Sequence, residues 1–121
     1  MSHIVTVNSL IRDPSAIAAA CQRLGLPAVV QGTAKLFSSE VTGLLVQLPD
    51  WHYPVVIDTH TGVIRYDNYN EEWGEKRHLD RFIQMYAVEM AKLEARKKGY
   101  TYSEELLRDG SIKLQINTGF V

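Results

Sequence analysis

From Glu75 to Lys98 the chain repeats apolar side chains at helical spacing: Leu79, Phe82, Ile83, Tyr86, Met90 and Leu93. Wound at 3.6 residues per turn, these positions form one continuous stripe over about four turns. Arg81, Gln84, Lys92 and Arg96 fall elsewhere on the helix. A stripe of that length needs an apolar surface to cover it, because packing rather than propensity holds most helices. Gly99 ends the helix, and Glu94 and Lys98 stand four apart in the order that favours an ion pair.

A shorter helix precedes it. Asp13 suits the N-cap, and Pro14 suits the first helical position, where its missing N–H costs nothing. Ile17, Ala20, Cys21 and Leu24 make the buried stripe, Gly25 closes the helix in a left-handed conformation, and Leu26-Pro27 prevents continuation. The rest alternates like strands. Residues 4–11 begin one, with Val5, Val7 and Ile11 on a common face. Residues 28–37 and 41–48 read as a hairpin turning at Ser38, Ser39 and Glu40. "YPVVIDTHTGVIRYDN" reads as another, turning within residues 59–62. "YTYSEELLRDGSIKLQIN" reads as a third, with Asp109-Gly110 as a type I′ turn. There Ile112, Leu114 and Ile116 are expected to face the core, and Lys113 and Gln115 water.

Each half of the chain thus runs strand, helix, glycine, strand, turn, strand, with Gly25 and Gly99 in equivalent places, although the two halves do not match in sequence. The expected fold is one α+β domain over residues 1–121, in the order β-α-β-β-β-β-α-β-β. A single-layer, mostly antiparallel sheet would carry both helices on one face.

Composition narrows the function. A net charge of −1 gives no global field to gather nucleic acid or anionic lipid. No apolar run approaches the roughly 20 residues of a membrane helix. The one cysteine, Cys21, allows no internal disulfide. The opening "MSHIVTVNSLIRD" lacks the basic lead and cleavage site of a signal peptide, so a cytoplasmic protein is expected.

Residues 65–82, "RYDNYNEEWGEKRHLDRF", hold the densest mixture of aromatic and polar side chains. One reading is a binding loop: Tyr66, Tyr69 and Trp73 offer stacking surfaces, and Asp67, Asn68 and Asn70 polar contacts, for a base, a sugar or a peptide. The other reading is a strand-to-helix joint. Tyr66 ends a strand, Asn70 or Gly74 starts the helix, Glu71, Glu72 and Glu75 sit at its positive end, and Trp73 lies over the helix–sheet core. Most of the stretch fits the joint, while Tyr69 with the two asparagines is the part surplus to folding. The acids would repel a phosphate backbone.

Other chemistry has less support. Of His3, His52, His60 and His78, only Asp58 with His60 shares a face at chelating spacing, and His52 and His60 flank one hairpin. A zinc site needs three or four converging ligands, so no metal and no cofactor is expected. Cys21 lies on a buried stripe and no nucleophile or phosphate-loop motif is present, so no catalytic residue is assigned. Asp58 and Asp67 are the best carboxylates for a hidden enzyme, yet neither has an identifiable partner base. The cluster "KLEARKK" suits the negative end of the long helix.

The segments "MSH", "GTAKLFSSEVTGLLV", "YPVVIDTHTGVIRYDNYNEEWG", "LDRFIQMYAVEMAKLEARKKGY" and "DGSIKLQI" resemble a family of uncharacterised proteins. These are the bacterial and phage relatives of the hypothetical chloroplast reading frame thirty-five protein, the domain of unknown function twelve fifty-seven. The resemblance spans nearly the whole chain. It implies no activity and no functional residues. It does imply a partner, through a frequent gene neighbourhood with an AAA-type ATPase. The expected function is therefore a non-catalytic protein-binding or adaptor module. The alternative is a small-ligand or nucleic-acid binder using the loop of residues 66–73. An exposed edge strand would also permit homo-oligomers.

Overall fold

A computed structural model describes residues 4–119; the "MSH" segment and His3 lie outside the described residues. Two helices and seven strands follow in the expected order. Strands β1 (Val5–Asn8), β2 (Val30–Leu36), β3 (Ser39–Val46), β4 (Val55–Asp58) and β5 (Val63–Tyr66) form one antiparallel sheet in the order β1-β5-β4-β3-β2. Helix α1 (Pro14–Arg23) follows β1, and α2 (Lys76–Lys97) follows β5. Strands β6 (Thr101–Leu106) and β7 (Ile112–Asn117) stand apart as a two-stranded antiparallel sheet.

The helix ends follow from their residues. The Asp13 carboxylate accepts from the Ala16 N–H at 3.0 Å, capping α1. Both helices stop in the same way. Gly25 and Gly99 turn left-handed at φ +70° and +75°. Leu26 N–H then reaches back to the Cys21 carbonyl, and Tyr100 N–H to the Ala95 carbonyl, each at 2.9 Å. This is the Schellman closure, repeated in both halves.

The main core lies between the helices and one face of the sheet. Val7, Ile64, Ile57 and Leu44 stand in register across four strands and meet the fully buried Ile17 and Phe82. Met85, Val88 and Ala95 of α2 are also buried, whereas Ile83, Met90 and Leu93 flank the core half-covered. The Tyr86 hydroxyl accepts from the N–H groups of Arg12 and Asp13 at 3.2 and 3.1 Å, tying α2 to the start of α1. Trp51 closes one end of the core against the edge of Tyr66, and its indole N–H donates to the Glu75 carbonyl at 3.0 Å.

Several details depart from expectation. Glu94 pairs with Lys97, three residues on, rather than with Lys98. The β2–β3 turn is Phe37-Ser38, since Leu36 pairs with Ser39. The β6–β7 loop has five residues, because Leu106 pairs with Ile112, so Asp109-Gly110 is not a two-residue type I′ turn. The Asp109 carboxylate captures both the N–H and the hydroxyl of Ser111, at 2.9 and 2.5 Å, which favours the wider loop. Along β7, in a hairpin separate from the five-stranded sheet, burial fades: Ile112 packs on the core, while Ile116 is 40% exposed.

Charge rather than apolar burial anchors that hairpin. Arg23 of α1 meets Glu89 at 3.1 Å and Glu104 at 2.5 Å, and Lys92 meets Glu89 at 2.9 Å and Glu104 at 3.7 Å. Arg96 donates to the Tyr102 hydroxyl at 3.0 Å. The close contact with Arg23 holds the Glu104 carboxyl below the usual range, and the same contact raises the Arg23 guanidinium.

The second face of the sheet is covered by the sheet itself. Ala34, Leu36 and Val56 form a separate buried cluster, with Ile4, Val41, Leu45 and Tyr53 packed on it. In a flat ladder the tip of β2–β3 would lie about 25 Å from the start of β4, at roughly 3.3 Å per residue. Instead Phe37 at that tip meets Trp73, which in turn meets Tyr53 just before β4, both at 5.7 Å. The hairpin therefore curls back over the face. The β3–β4 ladder stops at Leu44, so the hairpin leaves the sheet next to the cross-strand pair Gly32 and Gly43, where a Cβ on Gly43 would lie 2.5 Å from the Ile57 carbonyl oxygen.

Candidate functional site: an aromatic platform on a left-handed loop

After β5 the chain reverses through three consecutive residues with positive φ: Tyr69 (48°), Asn70 (52°) and Glu71 (71°). Such backbone costs roughly 1–2 kcal/mol per residue, less for asparagine, and persists only where neighbours over-determine it. The neighbours are Asp67 and Asn68, 1% and 6% exposed. The Asp67 carboxylate accepts from Tyr69 N–H at 3.2 Å. The Asn68 side-chain amide donates to the Gly74 carbonyl at 3.1 Å, and its backbone carbonyl accepts from Trp73 N–H at 2.9 Å. His52 N–H donates to the Trp73 carbonyl at 2.8 Å, clamping the loop to the segment before β4. The Glu71 carboxylate accepts from Lys76 N–H at 2.9 Å, serving the first turn of α2 from outside it.

The expected site residues therefore divide. Tyr66, 5% exposed, is a core residue beside Trp51. Asp67 and Asn68 hold the loop from beneath and are not surface contacts; Asn68 is not surplus to folding. Asn70 is exposed, and the N-cap of α2 is Glu75 rather than Asn70 or Gly74. Trp73 does not cover the helix–sheet core; Trp51 takes that place.

Trp73 is instead the hub of a half-exposed cluster. Tyr69 stacks on it at 4.7 Å and 23°, and His52 lies tilted at 5.3 Å. Tyr53 meets it edge-on and Phe37 obliquely, each at 5.7 Å. Phe37 is 55% exposed. Sequence reading assigned Tyr69 and Trp73 but missed Phe37, His52 and Tyr53, which come from separate segments. The signal available was "WHY" beside Pro49-Asp50, and a phenylalanine next to the expected turn at Ser38, Ser39 and Glu40.

Other candidates do not converge. His52 and His60 sit at opposite ends of β4, and the His60 N–H binds the Asp58 carboxylate at 2.9 Å, which lowers the Asp58 pKa. No group of three or more metal-ligating side chains occurs among the described residues. Burial pushes the Cys21 thiol up to about 11. A cleft of about 1000 Å³ lies between α2, the end of α1 and the β6–β7 hairpin, lined among others by Leu24, Leu48, Arg81, Met85 and Leu106. None of the loop residues 66–73 lines it. No described helix is long and apolar enough to cross a membrane.

The fold and the site together define an α+β protein whose curled antiparallel sheet carries an exposed aromatic platform. No protein-family model, no curated protein and no solved structure matches the chain.

Proposed function

We propose that the protein is a non-catalytic adaptor that docks another protein on this platform. One observation carries the reading: four rings, Phe37, His52, Tyr53 and Tyr69, gather around Trp73 from three separate segments, with Phe37 left 55% exposed at the rim. Clustered tyrosine and tryptophan, fixed in place before binding, are the usual anchors of protein interfaces. Because Tyr69 and Trp73 already stack on each other, a base or sugar could not slot between them without parting them. That disfavours the small-ligand and nucleic-acid alternative and suits a broad partner lying across the outer rings. The family resemblance supplies a candidate partner, an AAA-type ATPase, and a cytoplasmic setting fits the same reading. The test places a photo-crosslinking amino acid at Phe37 in the native host. A discrete adduct with one protein, absent when the probe sits at Glu105 on the outward face of β6, supports the reading. Equal labelling at both positions contradicts it.

A further inference from the structure

We propose that the segment docked on the platform is basic, presenting arginine or lysine to the rings. This inference rests on the adaptor reading and adds the partner's chemistry. Residues 67–75 contain four acids, Asp67, Glu71, Glu72 and Glu75, and no lysine or arginine. Asp50 adds another exposed acid beside Trp51 and His52. Glu75 is engaged by Arg77 at 2.7 Å, and Glu71 caps Lys76 N–H. Glu72 has no ion-pair partner among the described residues, while Asp50 makes no close ion pair but lies in the field of Arg77, which with Lys76 follows the acidic stretch. Beneath the loop, Asp67 is 1% exposed, and one of its carboxylate oxygens has no hydrogen-bond partner among the described residues. A buried carboxylate oxygen of this kind is uncommon, and from beneath the loop it acts on a docked segment through its field rather than by contact.

Aromatic faces over a negative background attract cations, and arginine adds planar stacking on tyrosine or tryptophan. The same charges repel phosphates, carboxylate-rich peptides and nucleic acid. Shape and charge thus select one class of occupant, a positively charged stretch of polypeptide lying across Tyr69, His52 and Phe37.

The test uses the whole chain and three soluble peptides of equal length: arginine-rich, its neutral citrulline counterpart, and glutamate-rich. Binding is followed by the NMR signals of the Trp73 indole and the Tyr69 amide. The arginine peptide is expected to shift both signals saturably, and to bind at least tenfold more tightly than the citrulline peptide. Its affinity should fall as salt rises. Asp67→Asn and Glu72→Gln should each weaken it several-fold, and Glu105→Gln should not change it. Equal binding of arginine and citrulline peptides overturns the proposal, as does an arginine response confined to residues away from the platform. A protein captured at Phe37 with no arginine binding overturns this inference while leaving the docking reading intact. Arginine binding without any captured protein does the reverse.

Discussion

Gly43 lies so close to Ile57 that a Cβ on the glycine would sit 2.5 Å from the Ile57 carbonyl oxygen. That contact is backbone, which cannot rotate away, so the bend that brings Phe37 over to Trp73 depends on a missing side chain. Gly43→Ala is expected to lower stability by about 1–3 kcal/mol, the usual range for forcing volume into a packed site. It should also weaken the Phe37–Trp73 contact. Urea unfolding and the nuclear Overhauser effect between the two rings test both effects together.

The left-handed loop makes a second prediction. Asn70 has φ +52°, a conformation that glycine adopts without strain and a β-branched residue resists. Asn70→Gly should leave the melting temperature unchanged or slightly raised, whereas Asn70→Val should cost about 1–2 kcal/mol. Thermal unfolding of the two variants gives the sign directly.

Acid should loosen the C-terminal hairpin first. The folded Glu104 carboxyl is held below its ordinary value of 4.5 by its close contact with Arg23. A depressed folded pKa contributes stability that is fully present above the unfolded pKa and is lost as pH falls through the folded value. The contribution should therefore be whole above about pH 5 and fade below pH 4.5. Amide hydrogen exchange in β6 and β7 is expected to accelerate over that window before α1 and α2 respond. Glu104→Gln should reproduce part of the effect at neutral pH, at about 1 kcal/mol, since Glu104 and Arg23 retain 20% and 34% exposure and solvent screens the pair.

Cys21 is 1% exposed, and burial raises its thiol to about 11. It should resist thiol reagents at pH 8 in the folded protein and react at the rate of unfolding. Rapid modification of the native chain would contradict the packing described for α1.

Much of the fold was legible because local chemistry spoke for it. Asp13, Pro14 and Gly25 bounded α1, Gly99 closed α2, and the register of β4 and β5 followed from alternation around residues 59–62. The platform was only half legible. Tyr69 and Trp73 are neighbours in sequence, but Phe37, His52 and Tyr53 join them through a bend next to Gly32 and Gly43 that no periodicity encodes. Asn68 misled because a polar residue in an aromatic loop reads as a surface contact. Its actual partner, the Gly74 carbonyl, lies six residues on and is reached only through left-handed backbone. The placement of Glu104 against Arg23 was hidden for a similar reason: the two residues meet only once the hairpin folds onto both helices.

The most direct test of the adaptor reading compares tagged wild-type protein with a Phe37→Ala, Tyr69→Asn double variant, each crosslinked in the native host, purified and weighed by native mass spectrometry. Asparagine at position 69 preserves tolerance of positive φ, so the loop should survive while two rings are lost. The account predicts a defined complex with another protein for the wild type and its loss in a variant that remains folded. A wild-type protein recovered only as a bare monomer or homodimer would contradict it, as would a complex that persists undiminished in the variant.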